Sequence, residues 1–141
     1  MPERRLIIST NPDRLDMPWV RAMLRSSYWG EWLTPEQING ACQHSICFGA
    51  YEISRTLPAP RQLGFARVVT DWHTFSSLMD VIVDPERRGE GIGTKLIAEV
   101  AAHPAVRGTI SILATRDASS LYARFGWLHA QDGVMMRNPD T

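Results

Sequence analysis

The chain of 141 residues contains only two cysteines, Cys42 and Cys47. A disulfide framework in a small secreted domain needs more than one pair, so the sequence favours a reducing, cytoplasmic setting. We expect both thiols to pack as small hydrophobic groups. A redox-active pair is the alternative, because the two residues are five positions apart.

The sequence also lacks an excess of charge and any long apolar run. Its 15 Lys and Arg residues balance 15 Asp and Glu residues, and no basic patch is visible, so we expect no nucleic-acid partner. No apolar stretch approaches the ~20 residues of a membrane span. The first residues lack the apolar core of a signal peptide. We therefore expect no membrane partner.

Motifs of several enzyme classes are missing as well. The histidines stand at positions 44, 73, 103 and 129 without a ligand spacing such as H-E-x-x-H, so no metal is expected. No G-x-S-x-G supports a serine hydrolase.

The length fits one domain over residues 1–141. Apolar periodicity predicts strands at 6–8, 46–53, 63–70, 75–83, 110–114, 127–128 and 134–136. It predicts helices at 12–25, 35–43, 91–103 and 117–124. The order β-α-α-β-β-β-α-β-α-β-β indicates an α/β (α+β) fold, with a mixed sheet and helices on its faces.

The most informative segment is the glycine-rich loop before the third predicted helix. Residues 88–93 read Arg-Gly-Glu-Gly-Ile-Gly, after a β-rich run that ends at Val83. Glycine permits positive φ and close approach of a ligand. The new helix adds unpaired N–H groups and a positive dipole end, which together favour an anion such as phosphate. The alternative is a glycine-rich turn before an ordinary helix.

The spacing of this loop resembles a known pattern. Residues 88–93 fit R-x-x-G-x-G and follow Val83-x-Pro85, which is similar to the coenzyme A pyrophosphate loop of the GNAT superfamily of N-acetyltransferases. Residues 122–127, Tyr-Ala-Arg-Phe-Gly-Trp, resemble the Y-x-x-x-G-F/W segment that closes the cofactor site of that family. Neither a P-loop ending nor a Rossmann G-x-G-x-x-G is present. The resemblance covers roughly residues 45–137.

The resemblance implies a mostly antiparallel GNAT-like sheet and an N-acetyltransferase. Acetyl-CoA would be the acyl donor, and a small-molecule or peptide primary amine would be the acceptor, attacking directly in a ternary complex. The protein would be a monomer or homodimer. The implied cofactor-binding residues are Val81, Val83, Arg88, Gly89, Glu90, Gly91, Ile92, Gly93, Thr94 and Thr115. Thr115 stands where the family often has Asn.

Two other functions are compatible with the same loop. One is a non-catalytic acyl-CoA-binding module that senses the cofactor and regulates a partner. The other is a nucleotide-phosphate binder of a different fold.

Tyr122 is the candidate acid for the departing thiolate. A phenol with a pKa near ~10 is protonated at neutral pH and can donate to sulfur. The resemblance places the Val81 N–H near the thioester oxygen. The alternative for Tyr122 is a core residue packed beside Phe125.

Asp80 is the candidate base, because it interrupts an apolar strand. A buried carboxylate destabilises the fold unless it is paired, so an unpaired one indicates a catalytic role. Strand alternation predicts that Asp80 shares a face with Leu78 and Ile82, opposite Val81 and Val83. The alternative is a structural pair with Arg67.

Three further titratable residues have candidate roles near the site. Asp71 and His73 are reserve candidates for the base. Asp117 is expected to cap its helix.

An aromatic and acidic cluster is the candidate acceptor site. Tyr28, Trp29 and Trp32 surround Glu31 between two predicted helices, and aromatic faces with a carboxylate suit an amine or cation. Trp72 could form another wall. The alternative is helix–loop packing.

Overall fold

The computed structural model describes residues 3–130 and 133–139. A single five-stranded sheet has the order β1-β2-β3-β4-β5. Its strands are Arg4–Ser9 (β1), Ile46–Ser54 (β2), Arg61–Thr70 (β3), Phe75–Val83 (β4) and Ile110–Leu113 (β5). Neighbouring strands are antiparallel except β4 and β5, which are parallel. The mixed, mostly antiparallel sheet predicted from the sequence is confirmed.

Five α-helices connect and cover the described sheet. They are Met17–Arg25 (α1), Pro35–Gln43 (α2), Ile92–Ala102 (α3), Pro104–Arg107 (α4) and Ser119–Ala123 (α5). A capping box starts α2: the Gln37 N–H donates to Thr34 Oγ1 at 3.1 Å, and the Thr34 N–H donates to Gln37 Oε1 at 2.8 Å. This local arrangement is why the sequence predicted α2 to the residue.

The predicted helix at 12–25 is wrong in one respect, because the structure divides it. A 3-10 turn at Pro12–Arg14 precedes α1, which starts separately with its own cap, where the Trp19 N–H donates to Asp16 Oδ1 at 3.2 Å. Pro18 restricts the residue before it and favours a fresh helix start. The short helix α4 was not predicted.

The sheet separates two hydrophobic clusters. One lies under α3 and includes Phe48, Ala66, Val68, Leu78, Leu96 and Val100. The other lies under α1 and α2 and includes Val20, Leu24, Ile38, Phe65 and Ile82. Phe65 and Ala66 are adjacent in β3 and belong to different clusters, as expected for side chains that alternate across a sheet.

A β-bulge interrupts β4 at Asp80. Met79 pairs with Arg67 and Ile82 with Phe65, so Asp80 and Val81 together stand opposite one residue of β3. Asp80 has a φ of 55°, which is uncommon for a residue other than glycine.

The extra residue makes the predicted face alternation of β4 wrong. Leu78 packs in the α3 cluster together with Val81 and Val83, whereas Ile82 packs in the α1 and α2 cluster. A bulge shifts the side-chain period by one, so residues before and after it exchange faces.

β4 and β5 are paired only at one end. Residues Phe75–Leu78 of β4 pair with β5, and Met79–Val83 continue past the last ladder pair, Leu78 with Leu113. The two strands therefore leave a gap beside the bulge. A cleft of about 690 Å³ follows β5 and is lined by residues that include Thr115, Tyr122 and Trp127.

The two predicted final strands are wrong within the described residues. Residues 127–128 and 134–136 form no strand, and Leu128, Val134, Met135 and Met136 are each more than four-fifths exposed. Runs of two and three apolar residues are too short to define a strand unless a neighbouring strand pairs with them. Residues 131 and 132, between them, lie outside the described part.

Candidate functional site

The loop between β4 and α3 has the backbone geometry of an anion site. Gly89 and Gly91 have φ values of 84° and 81°, and a Cβ at either position would meet nothing within 4 Å. Glycine is therefore needed for its conformation rather than for space. Gly91 is the N-cap of α3 and provides no side-chain acceptor. The first N–H groups of α3 are consequently available to a ligand.

Two neighbouring arginines of this loop have different roles. Arg87 donates to both carboxylate oxygens of Glu52 at 3.0 and 3.1 Å and to Glu90 at 2.8 and 3.0 Å. The Arg87 guanidinium lowers the pKa of Glu52. Arg88 is exposed and makes no ion pair with the described residues. Arg87 thus holds the loop against β2, whereas the guanidinium of Arg88 has no partner among the described residues.

The two sequence motifs meet in space. Arg124 Nη2 donates to Thr94 Oγ1 at 2.9 Å, which joins the segment after α5 to the first turn of α3. Sequence reasoning identified both motifs and missed this contact. It places a second guanidinium beside the helix N-terminus, where an anion would lie.

Tyr122 lies in the same core cluster as Val81 and Val83. Its ring meets that of Trp127 edge-on, with centroids 6.2 Å apart. The residue is 8% exposed, and its hydroxyl has no hydrogen-bond partner in the part of the chain that the structure describes. Burial and the nearby charge of Asp117 raise the pKa of Tyr122. A buried, protonated phenol therefore lies beside the bulged strand.

Thr115 and Asp117 lie just before α5, and one of the two differs from its predicted role. The Ala118 N–H donates to Thr115 Oγ1 at 3.0 Å. No side-chain cap precedes α5, so the prediction that Asp117 caps this helix is wrong. Thr115 accepts the bond that holds the turn after β5, and its contact with the cofactor stays a prediction.

The carboxylate of Asp80 is paired with Arg67. Arg67 Nε donates to Asp80 Oδ2 at 2.8 Å, and Arg67 Nη1 donates to Ser45 Oγ at 3.0 Å. The side chains of Arg67 and Asp80 are 13% and 9% exposed. The sequence left open whether Asp80 is a base or one half of an ion pair. The structure shows the pair, and it sits at the bulge.

The reserve candidates for the base lie at the other end of β4. Asp71 accepts the N–H groups of His73, Thr74 and Phe75 at 2.9, 2.8 and 3.1 Å. The Thr74 hydroxyl, which donates to Asp71 at 2.6 Å, lowers the pKa of Asp71 the most, and the three N–H groups lower it further. Asp71 therefore closes the hairpin before β4.

Trp72 stays with this hairpin rather than with the other candidate acceptor residues. Its ring meets that of His103 at 5.4 Å. The residues of β4 from Phe75 to Met79 separate it from Asp80.

The loop between α1 and α2 reaches the segment after β5. The Arg116 guanidinium carbon lies 4.0 Å above the centre of the Tyr28 ring, and Tyr28 meets Trp29 edge-on at 4.9 Å. Trp32 Nε1 donates to the Trp29 carbonyl at 2.8 Å. Tyr28, Trp29 and Trp32 are 55%, 37% and 77% exposed. Tyr28 of the aromatic cluster thus contacts the segment that follows β5, and Arg116 covers one face of its ring.

Comparison with known proteins assigns the family. The sequence model described as "Acetyltransferase (GNAT) domain" matches residues 43–128, which include the loop, the bulge and Tyr122. The chain belongs to the GNAT acetyltransferase family. A Gibberella zeae protein described as a candidate acetyltransferase is 34% identical over 101 residues, covering 62% of this chain and 57% of that protein. The chain spans about half the length of the curated relatives it matches.

Solved structures agree with the assignment. A candidate GNAT-family acetyltransferase from Xanthomonas campestris matches with a TM-score of 0.85 and 34% identity, covering 96% of this chain and 94% of that one. The ribosomal-protein-S18-alanine N-acetyltransferase of Escherichia coli has a TM-score of 0.68 at 19% identity, covering 90% and 80%. An aminoglycoside 6'-N-acetyltransferase complexed with coenzyme A has a TM-score of 0.59 at 21% identity, covering 77% and 61%. The last two show the fold alone.

No helix in residues 3–130 or 133–139 is both long and apolar enough to span a membrane.

Proposed function

We propose that this chain, as a single domain, transfers an acetyl group from acetyl-CoA to a primary amine by direct attack in a ternary complex. The observation that carries the proposal is the loop at residues 88–93, with its two left-handed glycines, uncapped α3 N-terminus and unpaired Arg88. A pyrophosphate needs converging N–H donors and a cation, and this loop supplies both. Arg124, held on Thr94 at 2.9 Å, adds positive charge on the same side.

The bulge in β4 supports the next part of the mechanism. At the bulge, Asp80 and Val81 stand opposite one residue of β3 and have no ladder partner in β5, and the proposed mechanism uses the Val81 N–H at this open edge. In the proposed complex it donates to the thioester oxygen, where negative charge develops during attack. Val83, farther along the same free edge, would hold the pantetheine arm through its backbone.

Tyr122 would protonate the departing thiolate. Its pKa is raised by burial, which keeps the phenol in the donating form over the whole neutral range. The charged form that follows proton transfer is costly in this core. The phenolate would therefore take up a proton from solvent before the next turnover, and the direct attack of the amine would form no acyl-enzyme.

Asp80 would accept the proton of the amine while Arg67 holds its carboxylate in place. Arg67 uses Nε toward one oxygen, Oδ2, at 2.8 Å, which leaves Oδ1 for the amine or a water. The aromatic cluster at Tyr28, Trp29 and Trp32 would contact the acceptor from the α1 and α2 face. Because Arg116 occupies one face of Tyr28, only the remaining ring surfaces are available to it.

The Arg67–Asp80 pair also favours a second candidate function. A carboxylate fully committed to an arginine is a poor base, and a chain without a base would bind acyl-CoA without using it. That alternative is a non-catalytic sensor of acyl-CoA. The sensor would bind acyl-CoA through the same loop as the proposed enzyme, but it would not transfer the acyl group.

The test combines donor binding with an amine screen. We expect calorimetry to give a micromolar affinity for acetyl-CoA, or roughly −8 kcal/mol. Release of free thiol from acetyl-CoA in the presence of polyamines, aminoglycosides, amino acids and peptides would identify the acceptor. Binding without thiol release for any amine would support the sensor. Saturable ATP binding that CoA cannot displace would contradict both.

A substitution in the loop makes the binding test specific. Gly91→Glu adds a negative charge to the cradle and a side chain at a φ of 81°, so we expect the affinity to fall about 100-fold or ~2.8 kcal/mol. Gly40→Glu is the matched control, because a Cβ at Gly40 meets nothing within 4 Å and the site lies in α2. Unchanged CoA affinity in a folded Gly91→Glu protein would overturn the loop assignment.

A further inference from the structure

Two cysteines lie close together beside Arg67, which forms the ion pair with Asp80. Cys42 lies near the end of α2 and Cys47 near the start of β2, where the Cys47 thiol donates to the Cys42 carbonyl at 3.5 Å. The interaction of the two side chains lowers the pKa of Cys42 and raises that of Cys47. Cys47 is buried and Cys42 is half-buried. Cys42 is thus the more exposed of the two residues, and the Cys47 thiol is held against its backbone.

The turn between the thiols is bonded to the candidate base through one arginine. Ser45, in the middle of the turn, accepts from Arg67 Nη1 at 3.0 Å, and the same guanidinium donates to Asp80 at 2.8 Å. Cys47 is also the direct ladder partner of Arg67 between β2 and β3. A change in the turn is thus transmitted to Asp80 over a short chain of bonds.

We propose that Cys42 and Cys47 are a two-thiol oxidation site that a peroxide converts to a disulfide, and that the disulfide slows amine acetylation by displacing Arg67 from Asp80. The second half of this inference rests on the proposed function. The first half concerns the thiols alone.

The oxidation balances with one peroxide. The Cys42 thiolate attacks a peroxide oxygen, so that an S–O bond forms, the O–O bond breaks and the second oxygen leaves as water after protonation. The Cys47 sulfur then attacks the Cys42 sulfenic acid, the S–S bond forms, and the hydroxyl leaves as a second water with the Cys47 proton. Two thiols lose two electrons and two protons, and hydrogen peroxide becomes two waters.

The disulfide changes the shape of the turn. It needs Cβ atoms about 3.8 Å apart and a fixed torsion at sulfur, whereas free thiols need neither. Closing the bond draws the end of α2 toward β2 and moves Ser45, so Arg67 loses one of its two partners. A shift of ~1 Å in a catalytic group can cost about 10²-fold. We therefore expect turnover to fall about 10- to 100-fold.

The first measurement needs no amine. The native protein is treated with a small excess of hydrogen peroxide, blocked with iodoacetamide and analysed by intact and peptide mass. We expect loss of two hydrogens and a linked peptide pair carrying Cys42 and Cys47, both reversed by dithiothreitol. Recovery of both residues as alkylated thiols, or as sulfonic acids, would overturn the oxidation site.

The second measurement tests the link to Asp80. Oxidised protein should keep its CoA affinity and lose turnover, and dithiothreitol should restore the loss. Cys42→Ser is the control, since it cannot form the bond and still carries the six methionines that peroxide also oxidises. A disulfide with unchanged turnover would overturn the link.

A stability readout separates this inference from the proposed function. Oxidation should change the melting temperature of Asp80→Asn less than that of the wild type, because the affected ion pair is already altered. Equal changes would overturn the link even if no amine were ever acetylated. Absence of turnover in the reduced protein would instead contradict the proposed enzyme activity. The mass measurement would still decide whether the two cysteines form a disulfide.

Discussion

The two halves of β4 differ in how their polar groups are satisfied. At the hairpin half, Asp71 takes four hydrogen bonds from the turn, and Thr109 donates to buried Ser76 at 3.0 Å. At the bulge half, Asp80 and Val81 share one opposite residue of β3 and have no partner in β5. A region whose donors and acceptors are paired within the protein serves folding, and one with open backbone groups is available to a ligand. One strand therefore combines a structural end and a binding end.

The largest expected effect tests the binding end. Tyr122→Phe should lower turnover about 10²- to 10⁴-fold through loss of a positioned proton donor, and acetyl-CoA affinity should stay close to that of the wild type. Because burial raises the pKa of Tyr122, the wild-type rate should decline only above pH ~10. Steady-state kinetics over pH would measure both.

Tyr51→Phe is the matched control for that experiment. Tyr51 is also a buried tyrosine, but it lies in β2, away from the gap between β4 and β5. The turnover of the Tyr51→Phe protein should equal that of the wild type. Full activity in Tyr122→Phe, under conditions where chemistry limits the rate, would reduce Tyr122 to a packing residue.

The next effect concerns the ion pair at the bulge. Asp80→Asn leaves the buried Arg67 cation without its counter-charge, so we expect a loss of about 3–5 kcal/mol in the free energy of unfolding. If Asp80 is also the base, turnover should fall most at low pH and partly recover as the pH approaches the pKa of the amine. Denaturant unfolding and a pH–rate profile would separate the two roles.

An exposed ion pair provides the comparison for Asp80. Glu90, paired with Arg87, has a side chain that is 48% exposed, so Glu90→Gln should lower the free energy of unfolding far less than Asp80→Asn does, because solvent screens the pair. A stable Asp80→Asn protein with an unchanged pH profile would contradict both roles of Asp80. The base would then be sought at an ordered water.

A smaller effect tests the structural end. His103 caps α4 by accepting the Ala105 N–H at Nδ1, 3.1 Å away, and burial lowers the pKa of its imidazole. His103→Ala should cost about 1–2 kcal/mol, as for other lost caps. A base whose pKa is lowered by folding stabilises the native state fully above the unfolded pKa. That contribution should therefore fade as the pH drops below ~6.5.

The control for the cap is His73, which is exposed in the same end of the molecule. His73→Ala should change stability by less than about 0.5 kcal/mol. Thermal unfolding at pH 8 and pH 5 would measure both variants. Equal pH dependence in wild type and His103→Ala would contradict the assigned cause.

The smallest expected effect is an increase in stability, at Tyr51. The Tyr51 hydroxyl is buried without a hydrogen-bond partner among the described residues, and burial raises the pKa of Tyr51 to about 12. Tyr51→Phe removes the unpaired group, so we expect the free energy of unfolding to rise by about 0.5–1 kcal/mol. A loss of stability in denaturant unfolding would show that the hydroxyl has a partner.

Sequence reasoning was most successful where the cause is local. The capping box at Thr34 and Gln37, and the glycines at 89 and 91, act within one turn of chain, so their spacing alone predicts the structure. The mostly antiparallel sheet follows from hairpin-length connections between β2, β3 and β4.

The rest depends on contacts that no local pattern reveals. Arg87 and Glu52 are 35 positions apart, and Arg124 and Thr94 are 30 apart. The sequence did not predict the bulge, because Asp80 fits a regular alternation of side chains along β4. The extra residue is recognised only from the pairing of β4 with β3. The roles of Tyr122 and Asp80 remain predictions for the experiments above.

The outer edge of β5 has a practical consequence for work in solution. No strand among the described residues covers it, and Ile110 and Ile112 are 74% and 49% exposed. An open apolar edge is a template for another chain, and a pI near 6.9 leaves little net charge to keep molecules apart at neutral pH. Light scattering should therefore show self-association that grows with concentration and is strongest near the pI. Kinetic and calorimetric measurements are best made dilute and at a pH well above it.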